Sequence, residues 1–183
     1  MQNTVPSRKQ FSGPFRWLSR ISFWFHLVLG GSSVVLLAIA GLSRGFSAQT
    51  RNPLIGVGIL CAVCALLVLG FRTYWAFRYT RLAKQLRATN ADLRPQRGEI
   101  VKVLQTGLAM SFVGMLLAFL ASEATAVAVL GKTLAQPQGV AMYTPQAIVR
   151  SLDILLVLAN INILGAHLLG SLNSLGLLHW ITE

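Results

Sequence analysis

Acidic side chains are scarce in this sequence, with five Asp and Glu against 16 Lys and Arg among 183 residues. Charge of either sign is sparse as well, at 11% of residues, where a soluble domain carries about a quarter. A chain so poor in charge cannot present a polar surface on every side, which excludes an ordinary soluble globular domain. Cysteine is limited to Cys61 and Cys64, both inside an apolar run, so no disulfide framework is possible. A redox CxxC pair opens a helix after a strand, where the thiolate is stabilised; within an apolar run the two behave as small hydrophobes. The patterns of hydrolysis and phosphate chemistry are missing too: there is no HExxH, no phosphate loop, no Ser/His/Asp order and no pair of intramembrane aspartates. No enzymatic activity and no cofactor are expected.

Long hydrophobic runs dominate. The 54% of residues that are hydrophobic gather in four blocks, at about 21–42, 54–77, 100–130 and 150–178. Each is close to the roughly 20 residues needed to cross a hydrocarbon core of about 30 Å. The chain is therefore predicted to be one all-α membrane domain over 1–183, a four-transmembrane-helix bundle. Ala38-Ile39-Ala40 before Gly41 mimics a signal-peptidase site, but the block exceeds a usual signal-peptide core and reads as a retained span. Pro53 opens the second block, and Phe71, Tyr74, Trp75, Phe77 and Tyr79 close it with an aromatic belt at headgroup level. The third block is longer than a perpendicular span requires, which tilt or a projecting end explains. Glu99 at its start favours the helix dipole. Pro137, Gly139 and Pro145 mark a loop before the fourth.

The net charge of +11 suggests a nucleic-acid binder only until its position is read. Most basic residues flank the blocks, where they meet anionic headgroups and resist translocation, and no dedicated basic face remains for nucleic acid. Arg8, Lys9, Arg16 and Arg20 precede the first block; Arg72, Arg78, Arg81, Lys84, Arg87, Arg94, Arg97 and Lys102 fall around the second connection. The other two connections hold only Arg44, Arg51, Lys132 and Arg150. Twelve against four predicts both termini and the middle connection on the cytoplasmic side, N-in and C-in. Within the connection at 78–99, basic residues alternate with Leu82 and Leu86, an interfacial pattern. Arg78, Arg81, Lys84, Arg87, Arg94, Arg97 and Lys102 are the candidates for docking lipid or a partner.

Helices in lipid associate through close backbone approach, which small residues permit. Gly114, Ala118 and Ser122, extended by Gly107 and Ser111, form one such stripe; Ala166, Gly170 and Ser174 form another, and Gly41 with Gly45 a further pair. Ionisable groups inside a span are costly and therefore informative. The fourth block holds Asp153, Asn160, Asn162, His167 and Asn173. Asp153, Asn160 and His167 are seven apart and share a helix face, which Ser174 continues. Glu123 would join from the third block, and His26 reads as an interfacial residue of the first. Two readings stand. Either Asn and His bond across helices while Asp153 and Glu123 pair with Arg150 and Lys132, or Asp153, His167 and Glu123 line a cation path. Carboxylate and imidazole suit iron, manganese or zinc.

Several strings resemble one family. They are Tyr79-Thr80-Arg81-Leu82 through Leu86-Arg87; Pro95, Arg97, Glu99 and Val101-Lys102; Gly107 with Gly114-Met115; Ala124-Thr125; Tyr143 and Pro145; and Leu152-Asp153 to Asn162, His167, Gly170 and Ser174. Together, over about residues 15–180, they resemble the plastid inner-envelope family described both as a translocon (Tic) subunit and as an iron permease, with its cyanobacterial four-span relatives. The resemblance implies a permease-like protein carrying iron, or a non-catalytic subunit or assembly factor of a translocon or photosynthetic complex. It also implies a cyanobacterial plasma or thylakoid membrane, or a plastid one; four helices with few polar positions barely enclose a hydrated path, so a transporter would need a homo-oligomer or a larger complex. The short arm before the first block favours the cyanobacterial case. Asp153, Asn162 and His167 match the family pattern; Glu123 stands where an amide is usual and Asn160 where a smaller residue is, which puts a required role for either in doubt. Asn162 is expected to act in helix packing.

Overall fold

The computed structural model describes residues 8–45, 53–85, 97–135 and 151–182. They form α1 (Arg8–Gly45), α2 (Pro53–Gln85), α3 (Arg97–Leu134) and α4 (Ser151–Thr182). Their apolar stretches, Trp17–Leu42, Pro53–Trp75, Gly98–Leu134 and Ser151–Trp180, are each long enough to cross a bilayer. Helix is the form such segments must take in lipid, because it satisfies every backbone group within the segment. The hydroxyls follow the same rule. Thr73, Ser122 and Thr125 each donate to the carbonyl four residues earlier, at 2.8, 2.9 and 2.7 Å. Pro53 sits at the first turn of α2, where its missing N–H costs nothing.

The helices run up-down-up-down. Each packs against the next, α4 closes back onto α1, and α2 approaches α4 across the centre. The end at which α1 and α3 begin and α2 and α4 finish is the proximal end; the other is distal. A proximal apolar layer joins Leu18, Trp75, Ile100, Leu104 and Leu177. A middle layer is built of Ala62, Ala65, Ala118, Ala121 and Ile163. A distal layer joins Ala40, Ile55, Ala128 and Leu156. Large side chains such as Leu67 and Leu116 point outward, as a bundle in hydrocarbon requires.

The inward residues step alternately by three and four: Ile55, Gly58, Ala62, Ala65, Leu69 and Arg72 on α2; Ile100, Leu104, Gly107, Ser111, Gly114, Ala118, Ala121, Thr125 and Ala128 on α3. This is the repeat of a left-handed coiled bundle. It corrects one detail of the sequence reading. A strict step of four would put Ser122 inward with Gly114 and Ala118, but the alternating step brings in Ala121 and Thr125 and leaves Ser122 half-buried beside the seam.

Candidate functional site: the polar seam of α4

On α4 the same repeat turns Asp153, Asn160, His167, Gly170 and Ser174 inward, with Ala166 beside them. From Asp153 to Ser174 is about 32 Å of helix at 1.5 Å per residue, so the polar face traverses the apolar thickness.

At the distal end Lys132 Nζ donates to Asp153 Oδ2 at 2.7 Å, both side chains nearly enclosed. Each sits at the helix end that suits its charge: Lys132 in the last turn of α3, Asp153 in the first turn of α4. The sequence expectation gave Asp153 to Arg150, which lies outside the described residues. Two turns inward, Asn160 Nδ2 donates to Thr125 Oγ1 at 3.2 Å. On the flank Ser33 Oγ donates to the Ala159 carbonyl at 3.2 Å, and Asn162 Nδ2 to Ser32 Oγ at 3.3 Å, tying α4 to α1.

His167 lies past the middle alanine layer and is fully enclosed. A carbonyl only accepts, so the 3.2 Å contact with Ala65 O places a proton on Nε2. The opposite atom, Nδ1, has no hydrogen-bond partner among the described residues. The ring lies over Gly114, where an added Cβ would stand 2.1 Å from Cε1. Gly114 is thus a requirement of the imidazole.

The proximal half holds a larger cluster that the sequence reading missed. Arg72 is completely buried. Its Nε donates to Ser111 Oγ at 2.8 Å, and its Nη2 to Gly170 O at 2.8 Å and Ser174 Oγ at 2.6 Å, so one guanidinium links α2, α3 and α4. His26 is buried beside it on α1 and donates from Nδ1 to the Ser22 carbonyl. Its Nε2 stands 2.7 Å, and Ser111 Oγ 3.1 Å, from where a Gly170 Cβ would be. Arg72 had been counted with the basic connection and His26 with the interface. The signal for both was phase: Arg72 continues the step from Ala65 and Leu69, inside the block at 54–77.

Glu123 departs from its expected place. It is exposed on the outer face of α3 and joins neither Asp153 nor His167. Among the described residues, no three of His, Cys, Asp and Glu come together. Cys61 and Cys64 are half-buried and unpaired, Cys61 packing on the middle alanine layer. Of the basic docking candidates, Arg78 is exposed and covers the Trp75 ring at 4.9 Å. Trp75 Nε1 in turn donates to Val103 O at 3.0 Å. Lys102 is exposed; Arg81 and Lys84 lie on the extension of α2 and Arg97 opens α3. Arg87 and Arg94 lie outside the described residues.

Fold and seam together define a multi-pass membrane protein whose four helices enclose a polar interior. The chain matches, over residues 5–182, the family described as "Protein of unknown function (DUF3611)", and it belongs to that family. It is similar to Protein TIC 21, chloroplastic, of Arabidopsis thaliana, with 35% identity over 176 residues, 92% of this chain and 56% of that protein. The chain thus spans about half the length of this curated relative. No solved structure matches.

Proposed function

We propose that this chain is a permease-type, non-enzymatic membrane protein that moves a small hydrophilic solute along the polar seam of α4, and that iron is the cargo to test first. The observation that carries the reading is the seam itself. Polar side chains from Asp153 to Ser174 run through the bundle along one helix face, and such groups are costly in a bilayer unless used. Arg72 sets a condition on the cargo. A fixed guanidinium beside His26 and Ser111 repels a bare cation. Iron would pass as a neutral or anionic complex, or between copies of the chain, where the outward Glu123 carboxylate lies. The chloroplastic relative supports a membrane of plastid type; a cyanobacterial plasma or thylakoid membrane is the proposed counterpart. The flanking charges support N-in, C-in.

A second reading is favoured by one observation: the alanine layer between Ala62, Ala65, Ala118 and Ala121 is close-packed, as in a non-transporting subunit of a translocon or photosynthetic complex. The two separate in one experiment. Liposomes holding the purified chain are given external radio-iron, with and without citrate, and detergent extracts are analysed for co-purifying proteins. Uptake per molecule that falls in Asp153→Asn and His167→Ala, at unchanged protein level, supports the permease. Unchanged uptake in both removes the seam as the path. No uptake together with stoichiometric large partners puts the subunit reading first.

A further inference from the structure

The buried polar atoms that lack partners are not spread evenly along the seam. Among the described residues, Asn160 Oδ1 lies distal to the alanine layer, whereas His167 Nδ1, His26 Nε2 and both amide atoms of Asn173 lie proximal to it. Buried hydroxyls follow the same division. Ser19, Ser22, Ser111, Ser171 and Ser174 are proximal, against Ser33 and Thr125 distally. An orphaned buried polar atom costs about 1–3 kcal/mol, and lipid supplies nothing to relieve it. Water does, wherever it finds two to four polar partners. The two halves therefore differ in what satisfies them: the distal half closes on its own ion pair and amide–hydroxyl bond, whereas the proximal half is fully satisfied only when wet.

We infer that the proximal half, bounded by His26, Arg72, Ser111, Asn173 and Ser174, is a water-entered vestibule that receives a small hydrophilic anion and ends at His167. The charge preference follows from the fixed positive charge of the buried Arg72 and from hydroxyls able to donate to an oxyanion. Cations are held off by the same guanidinium. The alanine layer and the Lys132–Asp153 pair close the far side. The inference deepens the permease reading and rests on it only for the solute's onward movement; entry of water and anion is independent of it.

Thiol labelling in membrane vesicles tests it with the full chain. Asn173→Cys and Ser171→Cys are made in a Cys61→Ser/Cys64→Ser background, and native Cys61 of the unaltered chain serves as the comparison. Each is exposed to an anionic and a cationic methanethiosulfonate of similar size. Both introduced thiols are expected to react roughly tenfold or more faster than Cys61, and faster with the anionic reagent, since a charged cleft raises local counter-ion concentration by that order. Arg72→Gln should erase the charge preference. If that variant does not fold, the anionic-to-cationic ratio at Asn173→Cys is compared with that at Gln105→Cys on the exposed face of α3. Rates no greater than at Cys61 would overturn the vestibule, and equal ratios at the two positions would overturn its anion preference. Labelling without iron uptake would leave the vestibule standing and remove the iron permease.

Discussion

The distal and proximal halves of the bundle use one helical repeat to different ends. Distally, polar groups are few and matched: a Lys–Asp pair at two helix termini, one Asn on one Thr, and alanines between. Proximally, polar groups are many, and a single arginine bonds across three helices, to Ser111, Ser174 and the Gly170 carbonyl. The lesson is that small residues bring backbones close, while the polar side chains decide which end is sealed. Substitutions sharpen or break that contrast.

The largest effect is expected where the halves meet. Gly114→Leu drives a whole side chain into the His167 imidazole, where even a Cβ already collides. The loss should exceed the roughly 1–3 kcal/mol of adding methylenes to a packed core and be the greatest of the series. The thermal transition in detergent should drop steeply or vanish. Gly114→Ala should be milder, and adding His167→Ala should recover most of its loss. A normal transition for Gly114→Leu would show that this face of α3 meets lipid.

Next comes the distal seal. Lys132→Met takes the ammonium away from the Asp153 carboxylate, and removing one partner of a buried pair costs about 3–5 kcal/mol. The double change Lys132→Met/Asp153→Leu removes both charges and should return most of the stability, measured by the same thermal transition. If the double variant is no better than the single, the pair holds something beyond its own charge.

How much of this contrast was legible in the sequence depends on the kind of signal. Span number and type were plain, because apolar runs of bilayer length leave one solution. The seam was legible on α4, where Asp153, Asn160, His167 and Ser174 sit seven apart under either step. On α3 the choice between a step of four and an alternating step decided the face, which displaced Ser122 and turned Glu123 outward. Arg72 was hidden by position. It follows the apolar run closely enough to read as a flanking charge, and its partners Ser111 and Ser174 gain meaning only once three helices are assembled. His26 was hidden likewise, because a lone histidine near an apolar boundary carries no phase of its own.

Arg72→Met ranks third. Three charge-assisted bonds are lost, each worth about 1.5–3 kcal/mol in isolation, but Ser111 and Ser174 regain acceptors on their own helices. A net loss of about 2 kcal/mol is expected, smaller than for Lys132→Met. Equilibrium unfolding in mixed detergent should rank the two. A larger loss for Arg72→Met would make the proximal half the structural keystone and weaken its reading as an entrance.

The smallest effect belongs to Thr125→Val, which removes the hydroxyl that Asn160 meets. Interhelical hydrogen bonds in bilayers average about 0.6 kcal/mol, so a shift near that size is expected from unfolding curves. A loss several times larger would mean that Asn160 Nδ2 finds no substitute and that the distal half is as dependent on its polar contacts as the proximal one.

Arg72 also sets a condition on biogenesis. Three of its acceptors are made 39, 98 and 102 residues later in the chain, so α2 leaves the ribosome before these bonds can form. An arginine costs about 2.5–3.5 kcal/mol at the centre of an inserting helix and less towards its end, where Arg72 lies, and α2 is the most apolar of the four spans, with a mean hydropathy of 2.8 against 1.9 to 2.0 for the others. That surplus lets the second span stay in the bilayer while it waits. Shortening the apolar run ahead of Arg72 would therefore be felt first as a failure of α2 to remain inserted, before any contact in the finished bundle is tested.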